Sequence, residues 1–546
     1  MRSPLQKLTT AVILTLAVLL PLKFGSLAMP GPAVTPDGFW GWLLTTWPLW
    51  LFRIAAPCTL LLTLAAYRPA NRSRGGDIFA LLFLTATALA FCGTINASQT
   101  FYSRETLLHL GSLGCYFFAV NEFISADENN TRKLTGALGV GIALALAVAL
   151  YQYFFGFDQM LNFIAEQRER GQRISAVLEA KIVDRRTNLP FDLSNSLAGF
   201  LLAALPVLLI GAWRAGGRFE PEKLSRTLFT ALAAAAGMFA FATTRSRAAA
   251  AALIAALVFA AIIKVKSLRL RIAAAVLAAA AIGCGAFYAA NSERGLGSLN
   301  SRIDYVKVAL ASFSAHPFIG AGWGEFHYDY MLNKYDGTEE APQDPHNLPV
   351  AFFSQAGMFA GLTITLWMLW PLVAALRRGV PDVKTTLLLS GWFAFCVHSL
   401  ADVNLLTVSG LGTAGTVGLL ITVDATRNSN GSSRLVRLFA LLSPLVLAAA
   451  LLLSPESSAG RCEEAAAKQA QGDFPGALRL LDRAAAVAPR DPYPGLRKME
   501  LLYRLGDTAG ARRELDAARK KFPDNWLLKG DVPEVNARLE KSRALK

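Results

Sequence analysis

Apolar runs long enough to cross a bilayer recur along most of this chain. They fall at roughly 8–28, 47–67, 77–97, 106–124, 134–155, 191–213, 227–244, 247–265, 270–290, 347–376, 384–401, 407–425 and 435–454. About twenty apolar residues are what a hydrocarbon layer of ~30 Å requires of a helix. Backbone inside lipid must satisfy its own hydrogen bonds, so such runs are expected as helices. With 53% hydrophobic and 17% charged residues, the chain is too apolar for an ordinary soluble enzyme. The expected fold is all-α: a polytopic helical membrane protein of 12–13 transmembrane helices over residues 1–454. The first run, Leu8–Leu22, has the length of a signal-peptide core. No small-x-small site follows it directly and many spans lie downstream, so it is expected to be retained as a helix.

The net charge of +15 does not point to nucleic acid, because the cations cluster in short loops between apolar runs. With a cytoplasmic N-terminus, Arg68/Arg72/Arg74, Arg132/Lys133, Arg214/Arg218/Lys223/Arg226, Lys264/Lys266/Arg269/Arg271, Arg377/Arg378/Lys384 and Arg427/Arg434/Arg437 all fall inside. The alternate loops carry few cations, as the positive-inside rule demands. The exception is the outer turn at Arg245-Ser246-Arg247. Either the flanking spans are wrong or these arginines have a function. The alternation also places segment 156–190, loop 291–346, His398 and Asp402 on the outer face.

Segment 156–190 mixes Phe157, Met160, Leu161, Phe163 and Ile164 with Arg168, Arg170 and Arg173. That pattern suits either an interfacial helix on the membrane or a solvated charged loop. Asn195, near the outer end of the sixth run, either bonds a neighbouring helix or touches substrate. The six cysteines show no close spacing, and neither a disulfide framework nor a metal site is expected.

Residues 455–546 change character and read as a soluble helical domain. Gln471-Gly472-Asp473-Phe474 aligns with Leu505-Gly506-Asp507-Thr508, Ala477 with Ala511, Ala484 with Ala518 and Pro489 with Pro523, each at an offset of 34. That is the tetratricopeptide period. An odd number of spans puts this domain outside the cytoplasm, where it offers a surface to a protein partner.

Between the ninth and tenth runs lies a polar stretch without obvious secondary structure, 291–346, expected as a long functional loop. It holds three of the five histidines, His316, His327 and His346, and the series Gly320, Gly322, Gly324. The glycines resemble a phosphate loop only superficially: no strand precedes them and no Lys-Ser/Thr follows. The order Arg302…Tyr305…His316-Pro317…Gly320-x-Gly322-x-Gly324-x-Phe326…Pro345-His346-Asn347 resembles the core of the bacterial O-antigen ligase and O-antigen polymerase family. Thr244–Ala248 and His398–Asp402 add weaker support. Where the family often has an acidic residue eight positions after the His-Asn pair, this chain has Gln355.

The resemblance implies a membrane glycosyltransferase using a polyprenyl-diphosphate-linked oligosaccharide donor, with a glycan or lipid A core acceptor. It implies an inverting, metal-independent reaction with no cofactor, at the outer face of a bacterial inner membrane. His346 would be the general base, since a neutral imidazole can take a proton from a sugar hydroxyl. Arg247 and Arg302 would hold the diphosphate through forked, charge-assisted hydrogen bonds, with Arg245 a weaker third. Their bland alternative is snorkelling to lipid headgroups. Asn347, Gly322, Asn195, His398 and Asp402 are supporting candidates; His398 and Asp402, one turn apart, could equally pair to stabilise the helix. His316 and His327 are expected to be structural. A protein O-oligosaccharyltransferase is the alternative within the family. A lipid-linked-glycan transporter or flippase, or a scaffold for a polysaccharide export machine, is the alternative outside it.

Overall fold

The computed structural model describes residues 3–27, 38, 41, 45–67, 73–94, 100–171, 179, 182–219, 223–267, 269–270, 272–273, 296–333, 342–402, 407–427, 434–452 and 458–523. Among them no strand forms, and the lone β-bridge joins Leu27 to Thr407. The helices are α1 (Pro4–Lys23), α2 (Leu49–Ala66), α3 (Arg74–Gly93), α4 (Thr100–Ala126), α5 (Glu128–Tyr151), α6 (Phe157–Glu169), α7 (Ser194–Phe219), α8 (Lys223–Thr243), α9 (Arg247–Ile263) and α10 (Leu296–Ala315). They continue as α11 (Phe326–Asn333), α12 (Leu348–Leu376), α13 (Val383–His398), α14 (Val408–Thr426), α15 (Arg434–Leu452), α16 (Ser458–Ala470), α17 (Phe474–Val487), α18 (Tyr493–Arg504) and α19 (Thr508–Lys521).

Nine of the described helices are long and apolar enough to cross a membrane, and the shorter α9 and the 436–447 part of α15 are apolar too. With α13 they account for every expected span except 270–290, which lies outside the described residues apart from 270 and 272–273. The protein is an all-α, multi-pass membrane protein with a helical-repeat C-terminus.

The chain folds as two compact units. The first comprises Met1–Leu84, His109–Ala289 and Thr365–Leu447. Its centre is α14, buried on all sides from Val408 to Val423, as a helix without a polar face must be. Phe79, Phe83, Phe117, Trp367 and Trp392 pack ring against ring beside it. Helices α9 and α13 run antiparallel: Lys264 Nζ donates to the Pro381 carbonyl at one end, and Phe259 stacks on Phe393 at 4.3 Å. Arg247, which opens α9, and His398, which closes α13, therefore lie toward the same end of that pair. The flanking helices α8 and α9 do form, with a turn between them at Arg245-Ser246.

A π-turn, Gln152–Gly156, carries α5 directly into α6. Phe157 and Ile164 pack against Ile182, while Arg168 pairs with Glu179 and Arg185 with Asp158.

The second unit comprises Thr85–Leu108, Ala290–Ile364 and Ala448–Lys546. Here the expected 291–346 loop is corrected: most of what is described is the twenty-residue helix α10 and the short α11. Tyr305, Val308, Ala309 and Ser312 recur at helical spacing on α10 and are all buried. Residues 334–341 lie outside the described residues.

The repeats follow the 34-residue register closely. Asp473 caps α17 through the Gly476 N–H at 2.9 Å, and Asp507 caps α19 through the Gly510 N–H at 2.7 Å. Ala477, Ala484, Ala511 and Ala518 are buried where paired helices touch. Small residues at these positions let the helices approach.

Candidate active site

Helix α12 carries a break. Gly357 sits at φ +82°, ψ −178° inside it, a backbone state that a side chain strongly disfavours. The segment His316–Gly324 is laid along this break by main-chain bonds. Met358 N–H donates to the Pro317 carbonyl at 2.8 Å, Ala321 N–H to Ser354 O at 2.9 Å, and Gly322 N–H to Gln355 O at 3.2 Å. Gly320, at φ +78°, lies directly against the backbone of Gln355 and Ala356. Close approach is thus the reason for glycine here, but the partner is protein backbone.

Gln355, the departure from the family pattern, has a definite place. It is buried, and its Oε1 accepts the Gly324 N–H at 2.8 Å while its Nε2 donates to the Ala351 carbonyl at 3.3 Å. A carboxylate could accept from Gly324 equally well, whereas only the amide can also donate back to its own helix. Trp323 anchors the segment from the other side: it is buried, packs on Phe352, and its indole N–H donates to Thr106 Oγ1 at 2.6 Å. The stretch is therefore well packed, contrary to the expectation of a polar loop.

His346 lies at the mouth of α12. Its φ of +56° is left-handed, a region in which histidine is among the less disfavoured residues. The Asp344 carboxylate accepts the His346 backbone N–H at 2.8 Å and holds the turn. The half-buried imidazole packs on Tyr305, ring centroids 5.5 Å apart at 31°. Tyr305 in turn meets Phe326 and Tyr330. Arg302 stands one turn before Tyr305 on α10, hence on the same helix face. Asn347 caps α12: its Oδ1 accepts the Val350 N–H at 3.1 Å. Gly322, at φ +117°, accepts the Glu325 N–H. The second unit thus brings His346, Asn347 and Gly322 together with the helix that carries Arg302. His316 is exposed at the end of α10, and the His327 ring lies 3.4 Å from the Pro342 carbonyl.

The other candidates belong to the first unit. Arg245, at φ +51° and exposed, pairs with Asp184. Arg247 is exposed at the first turn of α9, after the cap made by Ser246. Arg186, which sequence reasoning passed over, donates to the Thr244 carbonyl at 3.2 Å and reaches Asn195 Oδ1 at 3.5 Å. Together with the Thr187 N–H to Thr243 O bond, it ties 184–187 to the arginine turn. His398 Nε2 and Asp402 Oδ2 are 4.0 Å apart and both fully buried.

Tyr305, Asp344 and Glu325 were missed as site residues. Helical spacing from Arg302 could have found the first, and the Asp-Pro-His turn the second. Glu325 becomes meaningful only through Arg490, far away in sequence.

A helical membrane protein with a packed glycine segment and an imidazole at a helix mouth, stacked on a helix that carries an arginine, defines a class. The comparisons particularise it. A family model described as O-antigen ligase matches residues 231–365, and one described as tetratricopeptide repeat matches 469–529. A search of curated proteins returns no match. The chain carries an O-antigen ligase family domain followed by tetratricopeptide repeats, and the family supports a membrane glycosyltransferase type of function. The matched stretch contains Arg245, Arg247, Arg302, Gly322, His346 and Asn347, and leaves Asn195, His398 and Asp402 outside it.

Proposed function

We propose that this protein transfers or polymerises oligosaccharide from a polyprenyl-diphosphate donor onto a glycan or lipid A core acceptor. The reaction takes place at the outer face of a bacterial inner membrane. Residues 1–454 form the transferase and 455–546 a periplasmic repeat domain. The observation that carries the reading is His346 packed on Tyr305, one turn from Arg302, inside the matched stretch. His346 takes the proton of the acceptor hydroxyl as its oxygen attacks the anomeric carbon. The bond to the diphosphate breaks and its electron pair leaves with the diphosphate. Attack opposite the leaving group inverts the anomeric centre. Arg302 holds the diphosphate and stabilises the charge it gains. Arg247 is proposed for the same donor on the resemblance alone. Arg245, already paired with Asp184, keeps the turn in place, and Asn195 serves the same turn through Arg186. Gly322 and Asn347 shape the pocket, and His398 with Asp402 fixes the end of α13.

The direct test is product formation by purified protein in detergent, with lipid-linked donor, several acceptors and a chelator. No product with any acceptor would leave a transporter or scaffold. Silence only in chelator would indicate a metal-dependent transferase. Arg302→Ala should lower donor turnover on the order of a hundredfold. Arg302→Lys, which keeps charge but loses the fork, should recover only part of it. Near-normal turnover in both variants would remove Arg302 from the diphosphate site.

Topology is tested separately. Cysteines replacing Gly337 and Ser457, one at a time in a cysteine-free background, should both label with an impermeant thiol reagent in intact spheroplasts. Labelling at Ser457 only after lysis would put the repeats in the cytoplasm.

A further inference from the structure

The turn between α17 and α18 belongs to the repeats, yet one of its side chains is spent outside them. Arg490 Nη1 lies 3.0 Å from Glu325 Oε2, and Nη2 lies 2.8 Å from Asp329 Oδ1. The Glu325 side chain is fully buried and that of Asp329 nearly so. These residues sit one turn apart at the start of α11, directly after the glycine segment. One planar guanidinium therefore bridges two carboxylates, each through a different nitrogen, as its several fixed donors allow.

Each carboxylate is tied onward. The Glu325 N–H donates to Gly322 O, and its carbonyl accepts the Tyr328 and Asp329 N–H groups, so Glu325 opens α11. Its predecessor Gly324 is the residue held by Gln355. The other oxygen of Asp329 accepts the Ser312 hydroxyl at 2.6 Å, and Ser312 lies on α10, the helix whose Tyr305 meets the His346 ring. Beside Arg490, burial pushes the Asp491 carboxyl up to about 6, with Glu325 adding to the effect and the Tyr328 hydroxyl opposing it.

We infer that Arg490 is a positioning residue of the transferase: by clamping Glu325 and Asp329, the repeat domain fixes the glycine segment and α10 in their working arrangement. The repeats are then part of the active site's framework and not only an adaptor. This rests on the reading proposed above for its catalytic consequence, but the clamp itself can be measured without activity.

The test is amide hydrogen exchange over residues 320–333 in the full-length protein in detergent. Arg490→Ala leaves two buried carboxylates without their shared cation, and exchange there should quicken by about tenfold or more. Arg490→Lys, a point charge without the fork, should fall between Arg490→Ala and wild type. Arg504→Ala is the control: Arg504 pairs with Glu500 at 2.7 Å within one repeat helix, so its loss should leave 320–333 unchanged. Wild-type exchange in Arg490→Ala would overturn the clamp, as would equal quickening in Arg504→Ala. In the transfer assay, Arg490→Ala should lower kcat more than it raises donor KM, and Arg490→Lys should restore part of kcat. Quickened exchange with unchanged kcat and KM would overturn the positioning role. A wild-type protein without transfer would instead refute the proposed function, and the exchange result would still decide the clamp.

Discussion

Gly320→Ala should cost at least about a hundredfold in transfer while the protein still accumulates in the membrane, because displacing a catalytic segment by about 1 Å is enough for a loss of that size. A Cβ built on Gly320 would overlap the backbone nitrogen of Ala356 and the carbonyl carbon of Gln355. Neither atom can rotate away as a side chain would. The left-handed φ of +78° adds strain that alanine cannot relieve. The neighbouring backbone has nowhere to go, since a Cβ on Gly357 would likewise meet the Phe318 carbonyl. Each segment thus presses a glycine against the backbone of the other, and α12 must move if either gains a side chain. The other spanning helices do not depend on this contact, so membrane insertion should survive. Gly136→Ala is the comparison: no atom lies within 4 Å of its added Cβ, and transfer should stay near wild type. Equal activity in the two variants would show that the tight seat of Gly320 has no bearing on the chemistry.

How much of this was legible in the sequence varied with the kind of signal. Repeat register was fully legible, because a period of 34 survives in the small residues that helix packing demands. Spans were legible because lipid leaves the backbone few choices. The glycine series was visible, but its purpose was not. Spacing shows that the chain comes close to something; only the fold shows that this is the backbone of α12. Helix α10 could have been read, since Tyr305, Val308, Ala309 and Ser312 keep a helical period; the surrounding polar residues and glycines suggested a loop instead. The ion pairs were beyond reach. Arg245 finds Asp184 61 residues away, and Arg490 finds Asp329 161 residues away. No local pattern encodes such pairings, which arise when helices set the ends of distant turns side by side. The same limit holds for Gln355, whose value as a two-way amide clip depends on a segment thirty-one residues earlier in the chain.

For His346 the expected loss is larger still. If its imidazole is the general base, His346→Ala should lower the rate by about a hundred- to ten-thousand-fold, the usual cost of losing acid–base catalysis. Donor binding should survive if the diphosphate is held by arginine, as proposed. The structure refines the choice of variants. His346 is half-buried on Tyr305 with φ +56°, so alanine would remove a ring contact and keep the strained backbone. Asparagine tolerates this left-handed region well, so His346→Asn should fold at least as stably as His346→Ala. It also preserves the backbone N–H that Asp344 accepts. An inactive, well-folded His346→Asn therefore separates loss of the base from collapse of the turn. His346→Gln is the complementary probe: its longer amide can still form a hydrogen bond to an acceptor hydroxyl but cannot take its proton. An orienting role would partly survive in glutamine, and a base role would not. Single-turnover rates with saturating donor, compared across the three variants, decide between them. A His346→Gln protein turning over at more than about a tenth of the wild-type rate would contradict the general-base assignment. His346 would then be left as a wall of the acceptor pocket, held in place by Tyr305, and the proton would have to leave by another route.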